Sequence, residues 1–390
     1  MFILLSGAYL ANNKCFVSLL PRVGCEGVSV AENPVFRHKL PLSVKKVLFL
    51  PKIFSMKIKI NTIFASFVCV FLFLGIVELS AQEVSKKGYA CISENAACDI
   101  VTTLADDSFE GRAAGLRGGE MAAEYIVSQL KKYGVKPFAV SGYCQEFATA
   151  KNQSNWISES DMPLDELIAS GCETRTMKNV LACIPGKGKG YVVVGAHYDH
   201  LGIGVAVDGD SCYNGADDNA SGVAAVLQLA KAMKQSNKKP ERTIIFAFWD
   251  GEELGMLGSR FFVKRCSFSS EISAYMNFDM VGRGSDDNPW NLSYLYSSNN
   301  PVFGEWLQND TQNYNLRLMV DYKATKNLIG NSDTSPFARK GVPIVWYHTE
   351  GHPDYHRPSD TADKVNYPKL AEITRAAYLC LWRLANESSY

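Results

Sequence analysis

The sequence predicts an α/β fold, a three-layer α/β/α sandwich with a mostly parallel central sheet and a helical amino-terminal preface. Three observations predict it. After about Asn179, short apolar runs rich in β-branched and aromatic residues alternate with helical stretches. Those runs lack polar alternation, as expected of strands covered on both faces. Acids and histidines gather just past the runs, at the carboxyl ends where open α/β sheets place their ligand sites.

Taken in order, the elements start with a leader. From Met56 the chain reads MKIKINTIFASFVCVFLFLGIVELSAQ: two lysines, an apolar run from Ile63 to Val77, then Ser80 and Ala81. That is the three-part plan of a secretory signal peptide over 56–81, cleaved after Ala81, so the mature protein is expected to be exported, periplasmic or extracellular. Residues 1–55 show no helical or strand period and read as an upstream extension or a start placed too early. The alternative is an internal membrane anchor, for which the apolar run is short.

The leader also resolves the charge. The chain has 40 basic and 40 acidic residues, but residues 1–81 hold nine basic and three acidic ones, leaving 31 basic against 37 acidic. A mature chain of net charge −6 argues against nucleic acid or anionic membrane as the main partner. Eight cysteines follow the leader, an even number that permits disulfides; Cys91 and Cys98 are close enough for a local one. No CxxC spacing suggests cysteine as a metal ligand.

Residues 82–178 read as a helical segment. Apolar residues recur at three-to-four spacing through Ile92–Leu104 and again through Ala122, Tyr125, Ile126, Leu130 and Tyr133, with Gly134 as a stop; EGRAAGLRGG between them is a glycine-rich loop. The strands are then expected at 179–184, 191–196, 242–249, 274–281 and 342–347. Residues 284–330, rich in Asn, Ser and Tyr, read as a polar excursion that forms one wall of a pocket.

Chemistry concentrates at the strand ends. YVVVGA runs into His197-Tyr198-Asp199, RTIIFAFW into Asp250-Gly251-Glu252-Glu253, AYMNF into Asp279, and VPIVWY precedes Gly351-His352-Pro353-Asp354-Tyr355-His356; a further loop, GADDNASG, opens a helix. Any one such residue suits a turn or cap. Five segments delivering carboxylate or imidazole to one edge suit a metal centre, because packed carboxylates repel unless cations compensate them. Imidazole with carboxylate fits divalent zinc first, and a pair of ions needs a bridging carboxylate, terminal ligands and one free acid.

HYD, GADDNASG, DGEELGMLGS, NFDMVGR and DYHRPSDT, in this order and spacing, resemble the secreted co-catalytic zinc aminopeptidase family. Its relatives include glutamate carboxypeptidases, glutaminyl cyclases and transferrin receptor ectodomains. The resemblance covers Asn179 to Leu384, implying a zinc peptidase domain over 179–390, and it extends to the EGRAAG loop. It implies two zinc ions: Asp217 bridges them, His197 and Asp279 complete one site, and Glu253 and His356 complete the other. Glu252 is then the general base, taking a proton from the water between the metals and returning it to the leaving amine. Asp199 sets the His197 tautomer, and Tyr355 stabilises the oxyanion through its hydroxyl. An unusual peptide geometry after Asp217 is expected to turn its carboxylate to the metals.

Alternatives stay open at this point. Asp218 could bridge in place of Asp217, Glu252 and Glu253 could exchange roles, and Tyr355 could simply pack on the sheet edge. His200 and His352 read as loop or substrate-contact residues, and His348 as a satisfied core histidine. Relatives commonly carry histidine where Thr334 stands. The implied function is an exopeptidase acting on peptides with a free amino terminus, most simply an aminopeptidase. Dipeptidase or carboxypeptidase action, glutaminyl cyclisation and a non-catalytic binding module are the rivals. Cyclase relatives tend to have tryptophan before the last ligand histidine, where this chain has Tyr355, and binding relatives lose ligands that are all filled here.

Overall fold

A computed structural model describes residues 83–284, 288–326, 330 and 332–390 of the protein; the expected extension and signal peptide lie outside them. Helix α1 (Lys86–Ala90) starts where Ser85 Oγ accepts from the Gly88 amide, and α2 (Glu94–Leu104) where Ser93 Oγ accepts from Ala96. Side-chain oxygens at these positions satisfy amides that have no partner within the helix. A tight turn, Asp107–Arg112, leads to α3 (Arg117–Tyr133), whose Ala122, Ile126 and Leu130 form a buried stripe. A side chain at Gly118 would overlap the Phe109 carbonyl, so the glycines of the EGRAAGLRGG loop let α3 sit directly on the preceding turn. Helix α3 stops at Gly134, which takes the left-handed conformation and donates back to Leu130 and Lys131 carbonyls.

The preface is not purely helical. It adds β1 (Lys136–Pro137), β2 (Cys144–Asn152) and β3 (Asn155–Ser158) to the sheet before a short helix, α4 (Asp165–Ala169). These are flank strands with few buried apolar residues, Phe147 and Trp156 chief among them, so no continuous apolar run announces them.

The remaining elements are β4 (Thr174–Ile184), β5 (Tyr191–His197), a β6 (Gly202–Val207) and β7 (Asp210–Tyr213) hairpin, α5 (Gly222–Gln235), β8 (Thr243–Trp249), α6 (Leu257–Arg265) and β9 (Ile272–Phe278). After them come β10 (Asn291–Ser297), α7 (Val302–Asn313), β11 (Met319–Thr325), α8 (Thr334–Ala338), β12 (Ile344–His348) and α9 (Tyr367–Asn386). Ten strands form one sheet in the order β11-β10-β12-β9-β5-β8-β4-β2-β3, with β1 on β4. Its centre, β12-β9-β5-β8, is parallel throughout, while β4, β2 and β3 join antiparallel. The five expected strands all form. The expected polar excursion over 284–330 instead contains β10, α7 and β11, a parallel unit that widens the sheet; its residues 285–287 and 327–329 lie outside those described.

Strand alternation sorts the core into two layers. Val192, Val194, Phe246 and Met276 face α2, α3, α5 and α9, whereas Val193, Ile245, Trp249 and Tyr275 face Phe262 of α6 and Phe337 of α8. Helix α5 is buried almost all round, from Gly222 through Ala230, and its small residues let α2, α3 and α9 close over it. The parallel centre thus aims the carboxyl ends of β5, β8, β9 and β12 at one edge. All eight cysteines of the described residues are free thiols; Cys91 donates to the Gly88 carbonyl and Cys98 faces Thr102, so the local bridge that their spacing would allow is not formed. No helix among the described residues is long and apolar enough to cross a membrane.

Leu130 lies fully buried in α3 and packs in the core, away from the clustered strand-end acids, so Leu130→Ala removes buried packing. Its expected cost is about 2–5 kcal/mol of unfolding free energy, read from denaturant midpoints with the native far-ultraviolet circular dichroism retained.

Candidate metal centre and active site

Four strand ends and one helix-opening turn converge. His197 is the last residue of β5; Glu252 and Glu253 follow β8, Asp279 follows β9, and His356 sits in the loop after β12. The turn 216–221 supplies the centre of the cluster. Asp218 Oδ1 lies 3.3 Å from His197 Nε2 and its Oδ2 lies 3.2 Å from His356 Nε2. Asp279 Oδ1 stands 3.6 Å from His197 Nε2, and Glu253 Oε2 stands 3.2 Å from His356 Nε2. One carboxylate is therefore shared by two imidazoles, each with its own second acid.

Asp218 occupies this place, and Asp217, the residue expected to bridge, does not. The reason is alternation along a non-helical backbone. Asp217, Asn219 and Ser221 all turn toward the chain leaving β9: Gly282 N–H donates to Asp217 Oδ1 (2.6 Å), Met280 N–H to Asn219 Oδ1 (3.2 Å) and Val281 N–H to Ser221 Oγ (3.0 Å). Asp218 lies between these stitches and points the opposite way. The unusual peptide likewise falls one residue later than expected, as a cis bond between Asp218 and Asn219. Asp360 fixes the turn from outside, its carboxylate accepting the amides of Asp217 and Asp218 at 3.0–3.1 Å.

The other expected residues divide in the same way. Asp199 is fully buried and accepts the amides of Glu252 (3.1 Å) and Glu253 (3.3 Å), so it holds the turn carrying both acids. Its Oδ1 is 3.7 Å from His197 Nδ1, longer than a hydrogen bond, while its carbonyl oxygen is at 3.2 Å. Tyr355 is 45 % exposed and stacks on His356 with ring centroids 3.8 Å apart. Burial and the surrounding carboxylates hold its hydroxyl well above the ordinary phenol range, so it stays a proton donor. His200, expected in a loop or substrate contact, is buried with Nδ1 2.8 Å from Glu253 Oε1. His352 faces Asp217, 3.3 Å away, on the side remote from the cluster. His348, expected in the core, lines the cavity while its Nδ1 donates to the Asp279 carbonyl (2.6 Å). Thr334 is buried in the first turn of α8 and does not line the cavity.

Sequence reasoning missed three supports. Ser332 Oγ donates to Asp279 Oδ2 (2.6 Å), Asp360 holds the Asp218 turn, and Asp333 sits fully buried beside the acids. Ser332 and Asp333 stand in the very stretch, SDT, that drew attention only for Thr334, and Asp360 ends the DYHRPSD motif.

Electrostatics show what the cluster lacks. Burial, reinforced by Asp333, Asp279 and Glu253 against the pull of His197, lifts the Glu252 carboxyl well above its usual range, and burial also pushes Asp333 up to about 7. Burial works against a charged imidazole at His197 and His356, but the carboxylates outweigh it: His197 rises well above normal and His356 is pushed up to about 10. Asp218 is held far below normal, its desolvation overcome by the histidines. The acids outnumber the imidazoles, and no lysine or arginine lines the cavity, whose volume is about 260 Å³.

Zinc fits this donor set. Tetrahedral zinc with bonds of about 2.0–2.2 Å separates its ligand atoms by roughly 3.3–3.6 Å; the His197 distances of 3.3 and 3.6 Å lie in that range and the two His356 distances of 3.2 Å lie just below it. His356 Nε2 is buried with no hydrogen-bond partner, as a ligand atom is without its ion. His200 Nδ1, closer to Glu253, sits at hydrogen-bonding distance and orients that acid instead.

The chain is 26 % identical over 307 residues to leupeptin-inactivating enzyme 1 of Streptomyces exfoliatus, covering 73 % of this chain and 59 % of that protein. It is 25 % identical over 281 residues to a probable leucine aminopeptidase of Arthroderma otae, covering 68 % of this chain and 74 % of that protein. The crystal structure of the Legionella pneumophila LapA aminopeptidase shares the fold, with a TM-score of 0.60 at 21 % identity, over 80 % of this chain and 76 % of that one. Residues 179–380, the stretch that carries all five clustered side chains and Glu252, match Peptidase family M28, and the chain belongs to that family.

Proposed function

We propose that the protein is an exported aminopeptidase that holds two zinc ions and hydrolyses the first peptide bond of substrates with a free amino end. Peptidase chemistry follows from the family. The observation that carries the finer reading is the Asp218 carboxylate shared between a His197–Asp279 pair and a His356–Glu253 pair. Zinc at such a centre supplies Lewis acidity toward the scissile carbonyl and acidifies the attacking water.

The chain's own residues do the rest. Glu252 belongs to neither pair, has a carboxylate oxygen within 4.8 Å of ligand atoms of His197 and Glu253, and has a raised proton affinity. A carboxylate so placed can take a proton from the attacking water and give it to a leaving amine. Tyr355, held protonated, offers its hydroxyl to the oxygen that gains charge. The cavity offers no lysine or arginine to pair with a substrate carboxylate end. That supports amino-terminal over carboxyl-terminal trimming. Tyr355, where cyclase relatives tend to have tryptophan, supports hydrolysis over cyclisation. The leader of residues 56–81 supports export.

A panel of aminoacyl anilides, dipeptides, amino-terminally acetylated peptides and amino-terminal glutaminyl substrates tests the reading. Anilides and free-ended peptides should be cleaved, acetylated ones spared, and chelator should abolish turnover until zinc returns. Cyclisation of glutaminyl substrates without hydrolysis would overturn it. Glu252→Gln should keep two zinc equivalents and lose about 10²- to 10⁴-fold in kcat, by metal analysis and steady-state kinetics; near-normal turnover removes the base from Glu252. Asp218→Asn should bind zinc poorly and lose activity, whereas Asp217→Asn, away from the shared position, should keep its zinc stoichiometry. A chain beginning at Gln82 should fold and act like the full one.

A further inference from the structure

Arg112 lies in the preface, upstream of the residues matched to the family, and is completely buried. Its guanidinium meets no carboxylate. Nε donates to the Tyr198 carbonyl (2.8 Å), Nη1 to those of Leu104 (2.8 Å) and Asn214 (2.6 Å), and Nη2 to that of Gly215 (2.8 Å). Tyr198 follows the ligand His197 and precedes Asp199; Asn214 and Gly215 open the turn that presents Asp218. One rigid planar group therefore ties together the two backbone segments that must meet at the shared carboxylate. The backbone repeats the tie, since the His200 amide donates to the Arg112 carbonyl (3.1 Å).

Delivering that side chain requires a costly backbone. Glu110, Gly111 and Arg112 all have positive φ, at 50°, 62° and 50°. A side chain at Gly111 would stand 2.6 Å from the Gly202 and Tyr213 carbonyl oxygens, so the turn is pressed against the β6–β7 hairpin. Left-handed non-glycine residues persist where their surroundings over-determine them, and four charge-assisted bonds from one guanidinium do so here. Burial lowers the Arg112 pKa to about 10, with Asp218, Asp360, Asp199 and Glu253 opposing, which leaves it charged at neutral pH.

We propose that Arg112 is a positioning residue of the metal centre, its guanidinium fixing the His197–Asp199 exit against the Asn214–Asp218 turn before any metal binds. The proposal rests on the two-zinc reading above. Lysine cannot replace it, because a point-like ammonium does not span four carbonyls in a plane.

The test compares Arg112→Lys and Arg112→Met with Leu130→Ala, which loses stability remote from the site, all in the full chain. In chelator-treated protein, amide hydrogen exchange at Tyr198–His200 and Gly215–Asp218 should accelerate at least tenfold in both Arg112 variants and stay unchanged in Leu130→Ala. Zinc affinity, measured against a competing chelator, should fall about 10- to 100-fold, and kcat should fall more than KM rises. Added guanidinium ion should restore part of the affinity to Arg112→Ala and none to a weakened Leu130→Ala. Wild-type loop protection and zinc affinity in Arg112→Lys and Arg112→Met would overturn the proposal, as would equal loosening in Leu130→Ala. Failure of the unaltered protein to bind zinc would sink the metal reading instead, while metal-free exchange would still decide whether Arg112 holds the two loops.

Discussion

The structure of the site depends on one carboxylate, Asp218, standing between two imidazoles with an oxygen 3.3 Å from His197 and the other 3.2 Å from His356. The two histidines come from places 159 positions apart in the chain, one ending a central strand and one in the loop after β12. Bringing both to the same carboxylate is a problem of backbone placement, and much of the surrounding hydrogen bonding addresses it. Asp217, Asn219 and Ser221 stitch the turn to the exit of β9, Asp360 grips its amides, and Asp199 grips the amides of Glu252 and Glu253. Most of these partners are buried polar groups, for which an unmade bond would cost about 1–3 kcal/mol. The turn therefore has few alternatives to the conformation that presents Asp218.

The parallel centre of the sheet explains why this edge can hold so much charge. Strands β5, β8 and β9 are buried on both faces, so their carboxyl ends emerge together from an apolar layer. Acids placed there are desolvated at once, which lifts Glu252 and Asp333 and leaves imidazoles as the compensating cations. The antiparallel flanks contribute no ligands and instead widen the sheet and seat the preface.

Legibility from sequence followed the physics of each feature. Strands β4, β5, β8, β9 and β12 were readable because double-sided burial writes itself as an unbroken apolar run. Strands β2, β3, β10 and β11 were not, since half-buried flank strands carry Ser, Asn and Lys on one face. The residues at strand ends were legible as a group, and His197, Glu253, Asp279 and His356 do converge. The choice between Asp217 and Asp218 was not, because it turns on which way one residue points in an irregular backbone, and composition holds no record of that. The contact of His200 with Glu253 was equally hidden, since a histidine beside a ligand in sequence gives no distance to an acid 53 positions on.

The raised proton affinity of the two histidines bears on what zinc would do at the proposed centre. His356 and His197 hold protons beyond their usual range because the carboxylates around them need positive charge. A ligand imidazole must be neutral, so zinc bound at the proposed centre would replace those protons rather than add to them, and its loading would release protons. Arg112 is a buried cation whose charge is not exchanged in this way: burial lowers its pKa only to about 10, so it stays charged at neutral pH, and it bonds to carbonyls instead of acids. That division of labour keeps a permanent charge on the scaffold, one layer behind the ligands. At the proposed centre the neighbouring acids would be left to be neutralised by metal. A guanidinium bonded directly to Asp218 or Glu253 would compete with zinc for the same lone pairs. Placed behind the backbone, it can order the site without occupying it.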